Sequence, residues 1–511
     1  MRGGEAGRER RIAGNALATA GLQVATMALG AVLAVFIVLK FGKNARTDGL
    51  FAAYGVYGFI LLLAQSMRVT IVARLVEGPS VFAAVDRFLG AALAIALASS
   101  IPFLVLGGPI AGLLVGDLGS DASETTQNAL AILWLAAAAQ LLAGLAAAAL
   151  GTRDDFAVPG FAYLAGGLVP PVLVVALGDR LGIQSVTIGL ALGSLVTVLI
   201  MFARLVSFGY RPRLGSIAGA SGRLSGAYLI LGGSFGYLIA QLAYVITLGF
   251  AARMSEGAVT LYSYAFFTAS LLIGASSGAV SYVLAAPLSE TWDRRPESLR
   301  GDLLAVVRTG FATVLPVLAA AALVGHQVVD VVLGASLSSS DSVILANTFL
   351  ALGGMILSSQ VAPVPTIAAF AASRYAHLAL ISVVGLALHT GLNALAFSTR
   401  RLEVLGGATS VSTLFSLLLL LLVVYGRQLG GMLDLLGREL ARVALVAAAA
   451  FGPPWVFAAL VDDREWNLLA AFGGLVLYVL LLRRVLPEHW VHLQRVVGPL
   501  GRGRSTAAPE P

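Results

Sequence analysis

The 511-residue chain is 58 % hydrophobic and only 12 % charged, with a mean hydropathy of +0.91. A soluble domain carries about a quarter of its residues as charges, so a soluble fold is excluded and an all-α, polytopic membrane protein is expected. The net charge of +7 is then a matter of topology rather than of nucleic-acid binding. With no Cys, disulfides, thiolate metal sites and a Cys nucleophile are excluded as well.

The chain opens on basic residues, Arg2 to Arg11, followed by an apolar run over 12–40. A signal peptide has a shorter apolar core, and this run exceeds the about 20 residues that cross a bilayer. It is therefore read as a retained first membrane helix. Further runs follow at 48–76, 86–116, 125–150, 157–178, 184–208 and 222–252, then at 258–288, 303–334, 342–371, 375–398, 404–426, 437–461 and 465–486. Together they make fourteen candidate membrane helices. With the N-terminus inside, about three quarters of the 33 basic residues fall in cytoplasmic segments, as the positive-inside rule requires. Both termini are assigned to the cytoplasm.

The chain also repeats. Leu50-Phe51 resembles Leu261-Tyr262, an offset of 211, and Ala73-Arg74-Leu75-Val76-Glu77 resembles Ala286-Pro287-Leu288-Ser289-Glu290 at nearly the same offset. Two six-helix lobes around a central cavity are expected. The organisation is a basic N-terminus over 1–11, an N-lobe over 12–213, a C-lobe over 214–426, two extra helices within 427–490, and a basic tail over 491–511 expected to be disordered.

Between the first two runs lies a polar hinge, Phe41-Gly42-Lys43-Asn44-Ala45-Arg46-Thr47-Asp48-Gly49-Leu50-Phe51-Ala52-Ala53. Its Gly42, Thr47, Asp48 and Phe51 fall where the first hairpin of the MurJ/MviN-type lipid II flippases has its motif. The chain resembles that family, part of a superfamily of membrane flippases and exporters. The resemblance implies six plus six plus two helices and no cofactor. It departs from the family at two places. Lipid II flippases carry basic residues in the first turns of the second helix, where this chain has Tyr54, Gly55, Val56, Tyr57 and Gly58, and an Arg in the eighth, where it has Phe267.

Several chemistries are absent. The only Gly-Lys pair, Gly42-Lys43, is followed by Asn44, so no Walker A loop is present. The five His are scattered and include no metal-ligand spacing. No HExxH helix occurs, and the chain is read as a transporter rather than an enzyme.

Charges inside spans are the informative ones, because each costs at least about 2.5 kcal/mol at the bilayer centre. Arg68 lies deep in the second run, with Gln65 one turn before it and Arg74 nearly two turns after. Arg68 and Arg74 either snorkel to the headgroups or, with Gln65, face the cavity and bind a diphosphate through their guanidinium forks. On the outer side, Lys40, Lys43 and Arg46 stand against the charge rule beside Asp48. Asp48 is either an N-cap with solvated cations around it, or Arg46 and Asp48 form an outer gate. Gln140, Gln241, Gln360, His389 and Asn393 are read as ties between helices, and Pro363 and Pro365 as a kink.

The expected function is flipping of a lipid-linked, polyprenyl-diphosphate saccharide such as lipid II across the cytoplasmic membrane of a bacterium, for cell-wall or exopolysaccharide assembly. Its partners are that lipid, membrane lipids and cell-wall synthesis proteins, with no nucleic acid. Two alternatives stand beside it: a cation-coupled drug exporter of the same superfamily, and an inactive scaffold of a wall-synthesis complex.

Overall fold

The computed structural model describes residues 22, 25–26, 28–70, 81–153, 155, 157–213, 220–278, 296–372, 374–461 and 463–497, and among them there is helix but no strand. In lipid, every backbone polar group has to be satisfied within the chain, which is why apolar runs of this length become helices. In chain order they begin with α1 (Ala28–Phe41), α2 (Ala45–Thr70), α3 (Val81–Val105), α4 (Gly107–Val115) and α5 (Ser120–Gly151). Next come α6 (Ala157–Leu181), α7 (Gln184–Ser207), α8 (Ala220–Ala251) and α9 (Ala258–Ile273), the last ending in a π-turn at Gly274–Gly278. Then follow α10 (Pro296–Leu333), α11 (Ser339–Ala351), α12 (Gly353–Val361), α13 (Pro363–Ala371), α14 (Tyr375–Phe397) and α15 (Leu402–Tyr425). The chain closes with α16 (Leu429–Leu460), α17 (Arg464–Val485) and α18 (Pro487–Val497).

Among the described residues, 12 helical stretches are long and apolar enough to cross a membrane. The architecture is thus all-α and polytopic, while the expected count of fourteen is not reproduced. One stretch, Leu402–Leu460, is 59 residues long and contains both α15 and α16, joined by a single 3-10 turn at Gly426–Gln428. The described part of the first helix, α1, is shorter than a span. Proline sets one further break, and the turn at Leu352 another. The run expected over 342–371 is three helices, and Pro363 opens α13, where its missing N–H leaves nothing unpaired. Helix α18 occupies part of the tail expected to be disordered. Leu486, Trp490 and Leu493 recur at helical spacing and pack on the core of their unit, a pattern too short to register in a span-length hydropathy window.

Contacts divide the chain into two compact units. The first comprises Met1–Leu271, Val329–Gly354 and Ala376–Ser416. Here helices approach through small residues, because lipid supplies no hydrophobic drive and close backbone contact has to. Helices α2 and α5 touch at both ends of a seam. A methyl group on Gly49 would strike the Ala122 carbonyl, and one on Gly144 would lie 2.5 Å from the Ala64 carbonyl oxygen. Thr126 fastens the first contact, its hydroxyl lying 3.0 Å from the Gly49 carbonyl. The antiparallel hairpin of α6 and α7 is closed by Gly166 against Gly193, and by Gly189 against Pro170. An Ala-rich core lies under α3 and α5, including Ala91, Ala92, Ala143 and Ala146.

The second unit comprises Leu272–Val328, Met355–Tyr375 and Leu417–Pro511. Helices α16 and α17 pack through Phe451 on Gly474, and the Tyr478 hydroxyl of α17 donates to the Ala312 carbonyl of α10 at 3.0 Å.

Candidate functional site

The polar hinge becomes a clasp within the first unit. Gly42 turns the chain out of α1 with φ +71°, in the left-handed region that glycine tolerates. Asn44 is the N-cap of α2: its side-chain oxygen accepts from the N–H groups of Arg46 (3.0 Å) and Thr47 (3.1 Å). Asp48, in the first turn of α2, is free to point elsewhere.

It points at the start of α9. Asp48 is fully buried, and its Oδ2 accepts from the Gly257 N–H at 2.6 Å. Its Oδ1 accepts from the Thr260 N–H at 2.8 Å and the Thr260 hydroxyl at 2.6 Å. A carboxylate at a helix N-terminus meets unsatisfied N–H groups and the positive end of the dipole, which offset part of the cost of burying it. The capping is reciprocal, since Glu256, just before α9, accepts from the Ala45 N–H at the start of α2 at 3.1 Å. The Thr260 hydroxyl also lies 3.1 Å from that of Thr47. These partners are 209 to 213 residues apart, close to the repeat offset in the sequence.

Each hinge cation takes a different carboxylate. Lys43 reaches Asp341 at 2.6 Å, itself in the capping box of α11, while its stem crosses Gly257, where a Cβ would collide with it. Lys40 pairs with Asp179 at 3.1 Å and Arg46 with Asp121 at 3.2 Å, the latter pair widely exposed. Arg46 and Asp48 therefore do not pair with each other here. At the C-terminal end of α8, Arg253 and Arg400 donate to the carbonyls of Gly249 and Arg253. The α8–α9 turn thus has cations on its carbonyl end and a carboxylate on its N–H end.

Beneath the clasp lies a cluster of rings. Phe51 meets Tyr264 at 5.2 Å between centroids and Phe267 at 6.0 Å. Tyr54 meets Phe267 at 5.4 Å and Tyr57 at 5.6 Å, and Phe266 stacks on Tyr244 at 4.3 Å. Further along, Gln241 donates to the Gly55 carbonyl at 2.6 Å, and Gln140 to Ser194 at 3.0 Å. His389 joins three helices, with Nδ1 2.9 Å from the Ser412 hydroxyl and Nε2 2.8 Å from that of Thr247.

A family profile for the lipid II flippase MurJ matches residues 41–472, from the end of α1 into α17. The chain belongs to the MurJ family. No curated protein matches this chain by sequence. The fold agrees with a solved lipid II flippase MurJ in an inward closed conformation, at a TM-score of 0.76 and 15 % identity, over 91 % of this chain and 99 % of that one. An inward-facing multidrug-resistance MATE transporter of the MOP superfamily aligns at a TM-score of 0.65 and 15 % identity, over 83 % of this chain and 99 % of that one. A MOP superfamily transporter from Pyrococcus furiosus aligns at 0.61 and 17 % identity, over 81 % and 96 %. At these identities the likeness is one of fold.

Of the two departures expected from the resemblance, Tyr54 belongs to the five-residue stretch Tyr54–Gly58 and Phe267 is the other, and these two rings are in contact. Arg68 lies in α2 about 30 Å along the helix from Asp48, beyond the apolar span Ala45–Ala64. The side chains of Gln65 and Arg68 and the whole of Arg74 lie outside the described residues. What the sequence did not disclose was the partner of Asp48, for which the repeat offset was the available signal.

Proposed function

We propose that this MurJ-family transporter flips a polyprenyl-diphosphate-linked saccharide, with lipid II as the leading candidate, from the inner to the outer leaflet of a bacterial cytoplasmic membrane. The family match over residues 41–472 carries the reading. The two six-helix halves, 12–213 and 214–426, alternate access, and the α2–α9 clasp is the closed outer gate, with Asp48 as its bolt and Arg46 at its rim. Arg68 and Arg74, with Gln65, hold the diphosphate at the far end of α2. A buried carboxylate on two backbone N–H groups suits a gate, because its bonds can pass to water when the helices part. The aromatic pair Tyr54–Phe267 makes this part of the path apolar and favours a headgroup that presents sugar faces there.

Native mass spectrometry of the purified chain beside Arg68→Ala tests the reading. A bound polyprenyl-diphosphate glycan that is lost in the variant supports it. Bulk phospholipid alone on both proteins overturns it. The fold shared with MATE transporters favours drug export as the second reading, which predicts cation-driven efflux from proteoliposomes that does not depend on Arg68. For the scaffold alternative, Arg68→Ala with Arg74→Ala leaves complex assembly intact and changes nothing else.

A further inference from the structure

The second unit contains a cluster of ionisable groups that the gate does not use. Glu439 of α16 is buried to 3 % side-chain exposure. Its Oε1 lies 3.0 Å from Arg308 of α10 and 3.4 Å from Arg442 of α16. Arg308 also reaches Glu488 of α18 at 2.7 Å. His489 of α18 is buried to 1 %, with Nε2 3.0 Å from Glu439 Oε2, but neither ring nitrogen makes an aligned hydrogen bond. Trp490 and Leu493 seat the same face of α18 on the apolar core.

We propose that α18 is a strap, docked across α10 and α16 while His489 is neutral and released when it takes up a proton. The charge balance is the reason. The two carboxylates, Glu439 and Glu488, are already matched by Arg308 and Arg442, so a proton on His489 leaves one buried positive charge uncompensated. Burial holds the His489 imidazole below its ordinary range; Glu439 and Glu488 pull it up, and Arg308 and Arg442 push it down. A free α18 has an ordinary His, near pH 6.5. The released helix therefore binds the proton better. Docking is complete above that pH and weakens as pH falls through it, by up to about tenfold per pH unit.

The strap also suits its place in the chain. It follows α17 after a single residue, Leu486, so release exposes an amphipathic segment without unfolding the membrane helices. Its freed face carries Trp490 and Leu493, which fit the headgroup boundary of the bilayer.

Hydrogen exchange on the full chain in a nanodisc, corrected for intrinsic pH dependence, tests this. Amides of 489–497 should lose protection from pH 8 to pH 5.5 by up to about tenfold per unit below pH 6.5, while those of α17 hold. In His489→Gln, and in His489→Met, which fills the site without a titratable nitrogen, the helix should stay docked with a flat profile. Protection independent of pH in the unaltered chain overturns the strap. So does an equal fall in a docked variant, or a helix undocked at every pH in both variants, since neutrality at 489 is all that docking requires.

Discussion

Asp48→Asn is the substitution that isolates the clasp. The amide keeps the shape of the side chain, and its oxygen can still accept from the Thr260 N–H and hydroxyl. Its Nδ2 then faces the Gly257 N–H, which the carboxylate met at 2.6 Å. Two donors confront each other, and a buried N–H without an acceptor costs about 1–3 kcal/mol. Loss of the negative charge at the N-terminus of α9 adds about 0.3–1 kcal/mol, and up to about 2 when buried. The clasp should open more easily by about 3 kcal/mol, roughly a hundredfold in its opening equilibrium. The chain has no Cys of its own, so a single introduced one is a clean reporter. Ala52→Cys places a thiol one turn below Asp48 at a fully buried position, and its rate of labelling by a water-soluble maleimide reports opening. The rate should rise about a hundredfold in the Asn background. Ala450→Cys, buried in the second unit, should label at the same slow rate in both. A rise of less than twofold at position 52, or an equal rise at 450, would refute the account.

The same labelling assay ranks the hinge cations. Lys43→Ala frees a partly buried Asp341 and should speed labelling at 52 several-fold, whereas Arg46→Ala breaks an exposed pair of about 0–1 kcal/mol and should change it by less than about twofold. Gly144→Val should lower the thermal midpoint by the equivalent of at least about 1–3 kcal/mol, since its Cβ would sit 2.5 Å from the Ala64 carbonyl oxygen; an unchanged midpoint would disprove the seam. Tyr210→Phe removes the hydroxyl that donates to buried Asp86 at 2.7 Å and should cost about 1–3 kcal/mol in thermal unfolding. Added to Asp86→Asn it should cost much less than alone, and strict additivity would show that the two do not interact.

The fold was legible where physics is local. A run of apolar residues longer than the bilayer core needs no partner to be read as a helix, and Pro363 marks a break because it lacks an N–H. The hinge was legible for the same reason, as polar residues between two runs. Its wiring was not. Asp48 reads locally as a cap for α2, but Asn44 holds that place, and the donors Asp48 serves lie more than 200 residues away. Nor did the charge rule foretell that Lys40, Lys43 and Arg46 stand apart because Asp179, Asp341 and Asp121 await them. Helix α18 escaped notice because its 11 residues are amphipathic rather than apolar throughout.

The seam between α2 and α5 turns the clasp into a lever. Gly49 and Ala64 are the two rivets, about 22 Å apart along α2, and contacts that close resist sliding of one helix past the other. In the gating proposed above, prying Asp48 from α9 therefore moves α2 together with α5. The far end of α2 carries Arg68, and in that gating the motion reaches the proposed diphosphate site through the helix itself, with no relay of side chains in between.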